Sequence, residues 1–215
     1  MRFRIGNTLA WVIWALTVVG TLVAYPSLPS VMTTHFGMNG QGNGTMTSWA
    51  GAFILPVISL LVLLLFTAIP HIDPLKLNIQ KFRKQYDAFV ALLMLFFAVV
   101  QALIITRNLG STLDPSYVIL PAVGVLMFYV GIMLPYTRRN WFIGIRTPWT
   151  ISSDRVWDKT HRLGGTLFKI LGILIVLSAL TPITYAPWII VVPVIAVALF
   201  LVVYSYFIYA QEGKT

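Results

Sequence analysis

Cysteine is absent from this chain, and acidic residues number only six in 215. The first absence removes disulfides, thiol nucleophiles and Cys-ligated metals or clusters from consideration. The second belongs to a general shortage of charge: 10% of residues are charged, 58% are hydrophobic and the mean hydropathy is +0.85. Soluble domains do not have that composition. Also missing are a long linker, a block of like charge, a convincing internal repeat and any polar segment large enough to fold by itself, so residues 1–215 read as a single membrane domain.

Crossing ~30 Å of hydrocarbon at 1.5 Å per residue takes roughly 20 apolar residues. Six runs meet that need, at residues 6–24, 49–69, 88–106, 117–134, 166–183 and 187–209. They lack the alternation of barrel strands, and unpaired backbone groups cost several kcal/mol each in lipid, so each is predicted to be a helix. The expected fold class is an all-α integral membrane protein, a six-transmembrane-helix bundle. Only Thr184, Tyr185 and Ala186 separate the last two runs, which predicts a tight helical hairpin. The first run is longer than the apolar region of a signal peptide and has Leu22 where cleavage after Ala24 needs a small residue, so it is expected to be retained.

Fourteen of the fifteen Lys and Arg residues fall on one side of this alternating series, with Arg107 alone on the other. The positive-inside rule then makes the N- and C-termini, residues 70–85 and residues 136–165 cytoplasmic, and residues 25–48 and 107–116 external. The net charge of +9 is accounted for by orientation, so direct binding to nucleic acid is not expected.

The middles of the spans hold no carboxylate, histidine or basic group, which disfavours an ion-driven transporter. Thr17, Thr21, Ser59, Gln101 and Ser178 read as makers of interhelical hydrogen bonds. Pro56, Pro121 and Pro193 predict kinks or local breaks, and Gly124 with Gly131 a close helix contact.

Two connections carry more information. The outer one, YPSLPSVMTTHFGMNGQGNGTMTS at residues 25–48, has no Lys, Arg, Asp or Glu. His35 with Phe36 reads either as part of a site for an external ligand or as a structural cap over the bundle; a lone histidine without Asp, Glu or Cys nearby is a poor metal site. The inner one, residues 136–165, combines Trp141, Trp149 and Trp157 with six basic residues. Trp favours bilayer interfaces and Lys or Arg reach phosphates, so this amphipathic segment is expected to lie along the cytoplasmic membrane surface, with membrane lipids as partners. Thr147-Pro148 is expected to open an extended or turning piece. Ser152 or Ser153 would cap a short helix that Gly164 and Gly165 end. Asp158 is expected to pair with Arg162, and Trp157 to stack on His161. Arg146, bracketed by Trp141 and Trp149, is expected to lie against an aromatic face. Asp158 with His161 could be drawn as an acid–base pair, but no Ser, Cys or metal constellation accompanies them. Neither catalytic residues nor a cofactor or metal is therefore assigned.

These two loops resemble the SdpI family of bacterial and archaeal membrane proteins, whose founding member is an immunity protein against a secreted toxin. YPSLPSVMTTHFGMNG looks like the family's N-terminal domain of unknown function, and NWFIGIRTPWTISSDRVWDKTHRLGG is similar to its second signature. The resemblance implies an outer, ligand-binding group of Pro26, Pro29, His35, Phe36 and Gly40. It implies an inner group of Asn140, Gly144, Arg146, Thr147, Pro148, Trp149, Asp154, Trp157, His161 and Gly165. It further implies a prokaryotic plasma-membrane protein, not an enzyme, that binds or neutralises a secreted antimicrobial peptide toxin at the external face and relays the event by sequestering a transcriptional repressor at the cytoplasmic face. The alternative is a transporter or lipid-handling protein for an amphipathic ligand.

Overall fold

A computed structural model describes residues 5–37, 41–182 and 185–212. The apolar runs form α1 (Ile5–Ala24), α2 (Ser48–Ile72), α4 (Arg83–Asn108), α5 (Ser116–Met133), α7 (Asp154–Ser178) and α8 (Ala186–Glu212). These six helices are long and apolar enough to cross a membrane. Between them lie two short helices, α3 (Lys76–Lys81) and α6 (Pro148–Ser152). α1, α2 and α4 pack together, as do α5, α7 and α8, and α4 against α5 joins the two groups.

Outside the helices the chain forms an antiparallel hairpin, β1 (Val31–Phe36) with β2 (Gly42–Thr47), so the fold is not all-α. The β-branched Val31, Thr33 and Thr34 favour one strand, and the glycine-rich stretch after Phe36 allows the return. The register slips by a bulge between Thr33 and Phe36, leaving His35 opposite Gly44 and Phe36 opposite Gly42. Asn108, the last residue of α4, ties the hairpin down: its amide oxygen accepts from the Thr33 N–H and its nitrogen donates to the Thr33 carbonyl, both at 2.8 Å. Beneath the hairpin Met32 is fully buried, close enough to α2 that a β-carbon at Gly51 would lie 3.0 Å from it.

The prolines within spans leave the helices continuous. Proline has no N–H, so the carbonyl four residues earlier loses its helical partner. In α2 both freed carbonyls are recovered by α4. The Gln101 side-chain nitrogen donates to Ala52 O at 2.8 Å, and Tyr86 OH donates to Phe66 O at 2.5 Å, opposite Pro56 and Pro70 respectively. Gln101 also donates to Thr21 Oγ1 at 3.1 Å, which brings α1 into the same contact. Only Pro56 of these two reads from the sequence as an interruption within a span, because Pro70 lies at its inner end.

α5 and α7 meet along glycines. A β-carbon on Gly124 would stand 2.7 Å from the carbonyl of Gly172, one on Gly131 2.6 Å from the nitrogen of Lys169, and one on Gly165 2.7 Å from the ring of Pro135. Gly164 and Gly165 therefore do not end a helix: α7 runs through both from Asp154 to Ser178. The absent side chains serve close packing, which offsets their roughly 1 kcal/mol disadvantage in a helix interior. The turn toward α8 correspondingly begins at Ala179, earlier than the span boundary at residue 183 suggests; Thr184 lies outside the described residues.

Candidate functional site

The inner segment folds around two side chains with no freedom left in their polar atoms. Asn140, fully buried, accepts from the N–H groups of Phe142 and Ile143 and donates to the carbonyls of Arg138 and Ile143. His161, also buried, lies one turn beyond Trp157 on α7, and their rings stack at 4.0 Å and 16°. Its Nε2 accepts from the Ile145 N–H at 2.9 Å and its Nδ1 lies 2.8 Å from the Trp157 carbonyl. An imidazole that accepts at one nitrogen and donates at the other is neutral, with the proton on Nδ1. No ring nitrogen remains to act as a general base. Gly144 crosses this stack with φ of +117°, and a β-carbon there would collide with His161 Nε2. Two constraints thus select glycine at one position.

Trp157 donates from its indole to the Thr137 carbonyl at 3.2 Å. Thr147 is itself extended and is the N-cap of α6: it accepts from Thr150 N, and the Thr150 hydroxyl accepts from Thr147 N, with Pro148 in the first helical turn. The Thr147 hydroxyl also meets Ser205 Oγ on α8 at 2.9 Å, and Trp149 packs edge-on against Tyr206 at 5.1 Å. Ser153 caps α7 by accepting from Val156 N. Arg146 is exposed and donates to the Trp141 carbonyl, whereas the guanidinium–ring contacts among the described residues belong to Arg83 with Tyr86 and Arg107 with Phe36. The expected seat of Arg146 on an aromatic face is replaced by a bond to the main chain.

Ion pairs surround this core. Asp158 meets Arg162 at 2.9 Å and Arg138 at 3.5 Å; Asp154 meets Arg139 at 3.0 Å. Sequence reasoning missed Asp73. Almost fully buried, it accepts from Leu75 N with one oxygen and from Trp141 N with the other, at 2.9 Å. Together with Asn78, which donates to the Arg139 carbonyl at 2.8 Å, it clamps the α2–α4 connection onto the inner segment. The available signal was slight: an Asp before Pro at the end of an apolar run.

The outer group is spread along the hairpin and its approach. Pro26 lies in a 3-10 turn and Pro29 just beyond it, both exposed before the base of the hairpin. His35 and Phe36 sit at the other end of β1, where His35 is exposed with Nδ1 3.0 Å from Thr34 Oγ1, and the Arg107 guanidinium lies over Phe36 at 5.9 Å. Gly40 lies outside the described residues. On the far side of the same outer end, a cleft of 760 Å³ opens between α5 and α7, lined by Asp114, Tyr117, Leu120, Leu177 and Leu180 among others. Among the described residues no three His, Asp or Glu side chains are grouped as a metal would require.

Residues 137–206, from the carbonyl that Trp157 engages to the tyrosine that Trp149 packs on, match the SdpI/YfhL protein family. The chain carries the SdpI-family signature. Residues 12–60, from within α1 through the hairpin to the middle of α2, match the domain of unknown function DUF1648. The chain is 25% identical over 198 residues to Immunity protein SdpI of Bacillus subtilis (strain 168), covering 92% of this chain and 91% of that one. No solved structure matches it. Six apolar helices and this similarity make it a multi-pass plasma-membrane protein of bacteria.

Proposed function

We propose that this protein is a non-enzymatic immunity or receptor protein: its outer face meets a secreted antimicrobial peptide, and its inner segment relays the encounter by holding a transcriptional repressor. The observation that carries the reading is the similarity to Immunity protein SdpI, which extends over nearly the full length of both chains and includes both loops. The geometry is compatible with it. His161 and Asn140 have their polar atoms committed to the fold, as an inner segment built for recognition rather than chemistry requires. The outer hairpin is uncharged and mounted rigidly on α4 through Asn108.

The test is survival. A peptide-sensitive bacterial strain expressing the chain, with its membrane level verified, is challenged with a panel of secreted antimicrobial peptides. Protection of at least about tenfold against one of them is expected; unchanged survival across the panel overturns the reading. The 760 Å³ cleft between α5 and α7 favours one alternative, a transporter or lipid-handling protein whose amphipathic ligand lodges between helices. Energy-dependent clearance of a labelled lipid or peptide from vesicles, without protection from killing, would select it.

A further inference from the structure

Where the α2–α4 connection meets the inner segment there is a cavity of 200 Å³, walled by Asn78 and Lys81 from α3, by Arg138, Arg139 and Asp154, and by Trp157 at its back. Its charges do not balance. Asp154 is matched by Arg139, and Asp158, outside the lining, is shared between Arg138 and Arg162, so the lining itself sets three cations, Lys81, Arg138 and Arg139, against one carboxylate. The Lys81 ammonium donates to Asn78 Oδ1 at 3.0 Å and meets no carboxylate among the described residues. Two positive charges are left around a concavity with room for a phosphate group. The ammonium comes from α3 and the guanidinium donors from the inner segment, a mixed donor set that suits an anion with several oxygens.

The rim is apolar. Leu77, Trp141 and Phe142 are exposed beside the cavity in sequence, at the inner ends of the spans. Exposed Leu, Trp and Phe next to basic groups is the pattern of a bilayer interface, where lipid phosphates stand. From this we infer that the cavity is a phosphate-binding site, filled by the headgroup of an anionic glycerophospholipid or by a free phosphate. Its walls come from both three-helix groups, so an occupant bridges α3 to the inner segment alongside the Asp73 and Asn78 bonds. None of these features depends on what the outer face binds.

The experiment uses the full chain, purified in detergent, with three probes: phosphatidylglycerol, phosphatidylcholine and inorganic phosphate. Binding is counted by native mass spectrometry for the lipids and by competition for the anion. Lys81→Gln with Arg138→Gln removes both exposed cations, and Lys84→Gln, an exposed cation on α4 outside the cavity, makes a control of like kind. The double variant is expected to lose affinity for phosphatidylglycerol by about thirtyfold, at roughly fivefold per basic group near a membrane surface, while Lys84→Gln changes little. Lys81→Arg is expected to retain binding, and thermal melting of each variant confirms that it is folded. Competition by millimolar inorganic phosphate assigns the site to free phosphate; selective retention of phosphatidylglycerol without such competition assigns it to a lipid headgroup. Equal binding by the double variant and the wild type, an equal loss on Lys84→Gln, or no preference for phosphatidylglycerol or phosphate over phosphatidylcholine overturns the proposal.

Discussion

Gln101 on α4 donates its side-chain amide at 2.8 Å to the main-chain carbonyl of Ala52 on α2, the carbonyl that Pro56 deprives of a helical N–H. A polar side chain at bilayer depth thereby completes the backbone of a neighbouring helix. Its own Oε1 is buried without a partner among the described residues, so part of the gain is offset.

This relationship predicts coupling between two substitutions. Gln101→Leu should cost about 1 kcal/mol, in the range of interhelical hydrogen bonds in membranes. In a Pro56→Ala background an N–H returns to Ala52 O, and the cost of Gln101→Leu should shrink by about 0.6 kcal/mol. Thermal unfolding of the four proteins in detergent gives the cycle. An identical cost in both backgrounds would show that Gln101 acts only through Thr21.

The glycine seam predicts a contrast within one residue type. Gly172→Ala places a β-carbon 2.5 Å from the nitrogen of Phe128 and should destabilise by roughly 1–3 kcal/mol or force α5 and α7 apart. Gly20→Ala meets nothing within 4 Å and should be neutral or stabilising by up to about 1 kcal/mol through helix propensity. Melting temperatures and membrane levels read both. Tolerance of alanine at Gly172 and Gly131 alike would mean that the helices are not in contact there.

The clamp of Asp73 on Trp141 predicts that a residue outside the inner segment matters more to its stability than Arg146 inside it. Asp73→Ala leaves the N–H groups of Leu75 and Trp141 without their acceptor and should cost roughly 3 kcal/mol; Asp73→Asn should fall between. Arg146→Lys retains a donor for the Trp141 carbonyl and, being exposed, should stay within about 0.5 kcal/mol of wild type. Limited proteolysis of the inner segment and thermal melting measure both. A larger loss for Arg146→Lys than for Asp73→Ala would point to a bidentate partner for the guanidinium.

The charge bias predicts orientation. Single cysteines at Ser30 and Ser152, both exposed and in a chain without native cysteine, should react with an impermeant maleimide from opposite faces, Ser30 from outside intact cells. Labelling of both from outside would reverse the assignment of the inner segment to the cytoplasm.

The spans were legible because length and uniform hydropathy are properties of single segments. The Gly124–Gly131 contact was legible too, since spacing of seven places small residues on one helix face. What escaped sequence reasoning depends on partners distant in the chain. A Gly-Gly pair at 164–165 reads as a helix stop until Pro135 and Ile145 are seen to occupy the space a β-carbon would take. The hairpin was obscured because its strands are short and its anchor, Asn108, lies 75 residues from Thr33. Within the inner group, the Trp157–His161 stack and the Asp158–Arg162 pair followed from helical spacing alone. The engagement of His161 by Ile145, across a turn at Gly144 with positive φ, did not.

Asn108 has one more effect on the hairpin. Because it takes both main-chain groups of Thr33, the Thr33–Thr45 pair is one whose backbone groups point away from each other, so β1 presents its outward groups at Thr33 to an amide. A sheet with one edge sealed has a single valence for strand addition. Two copies that met through β2 would close on each other as a four-stranded pair and stop there, whereas two open edges would let the contact repeat without end. One side-chain amide, 75 residues away in the chain, thus sets how many partners an uncharged hairpin could take.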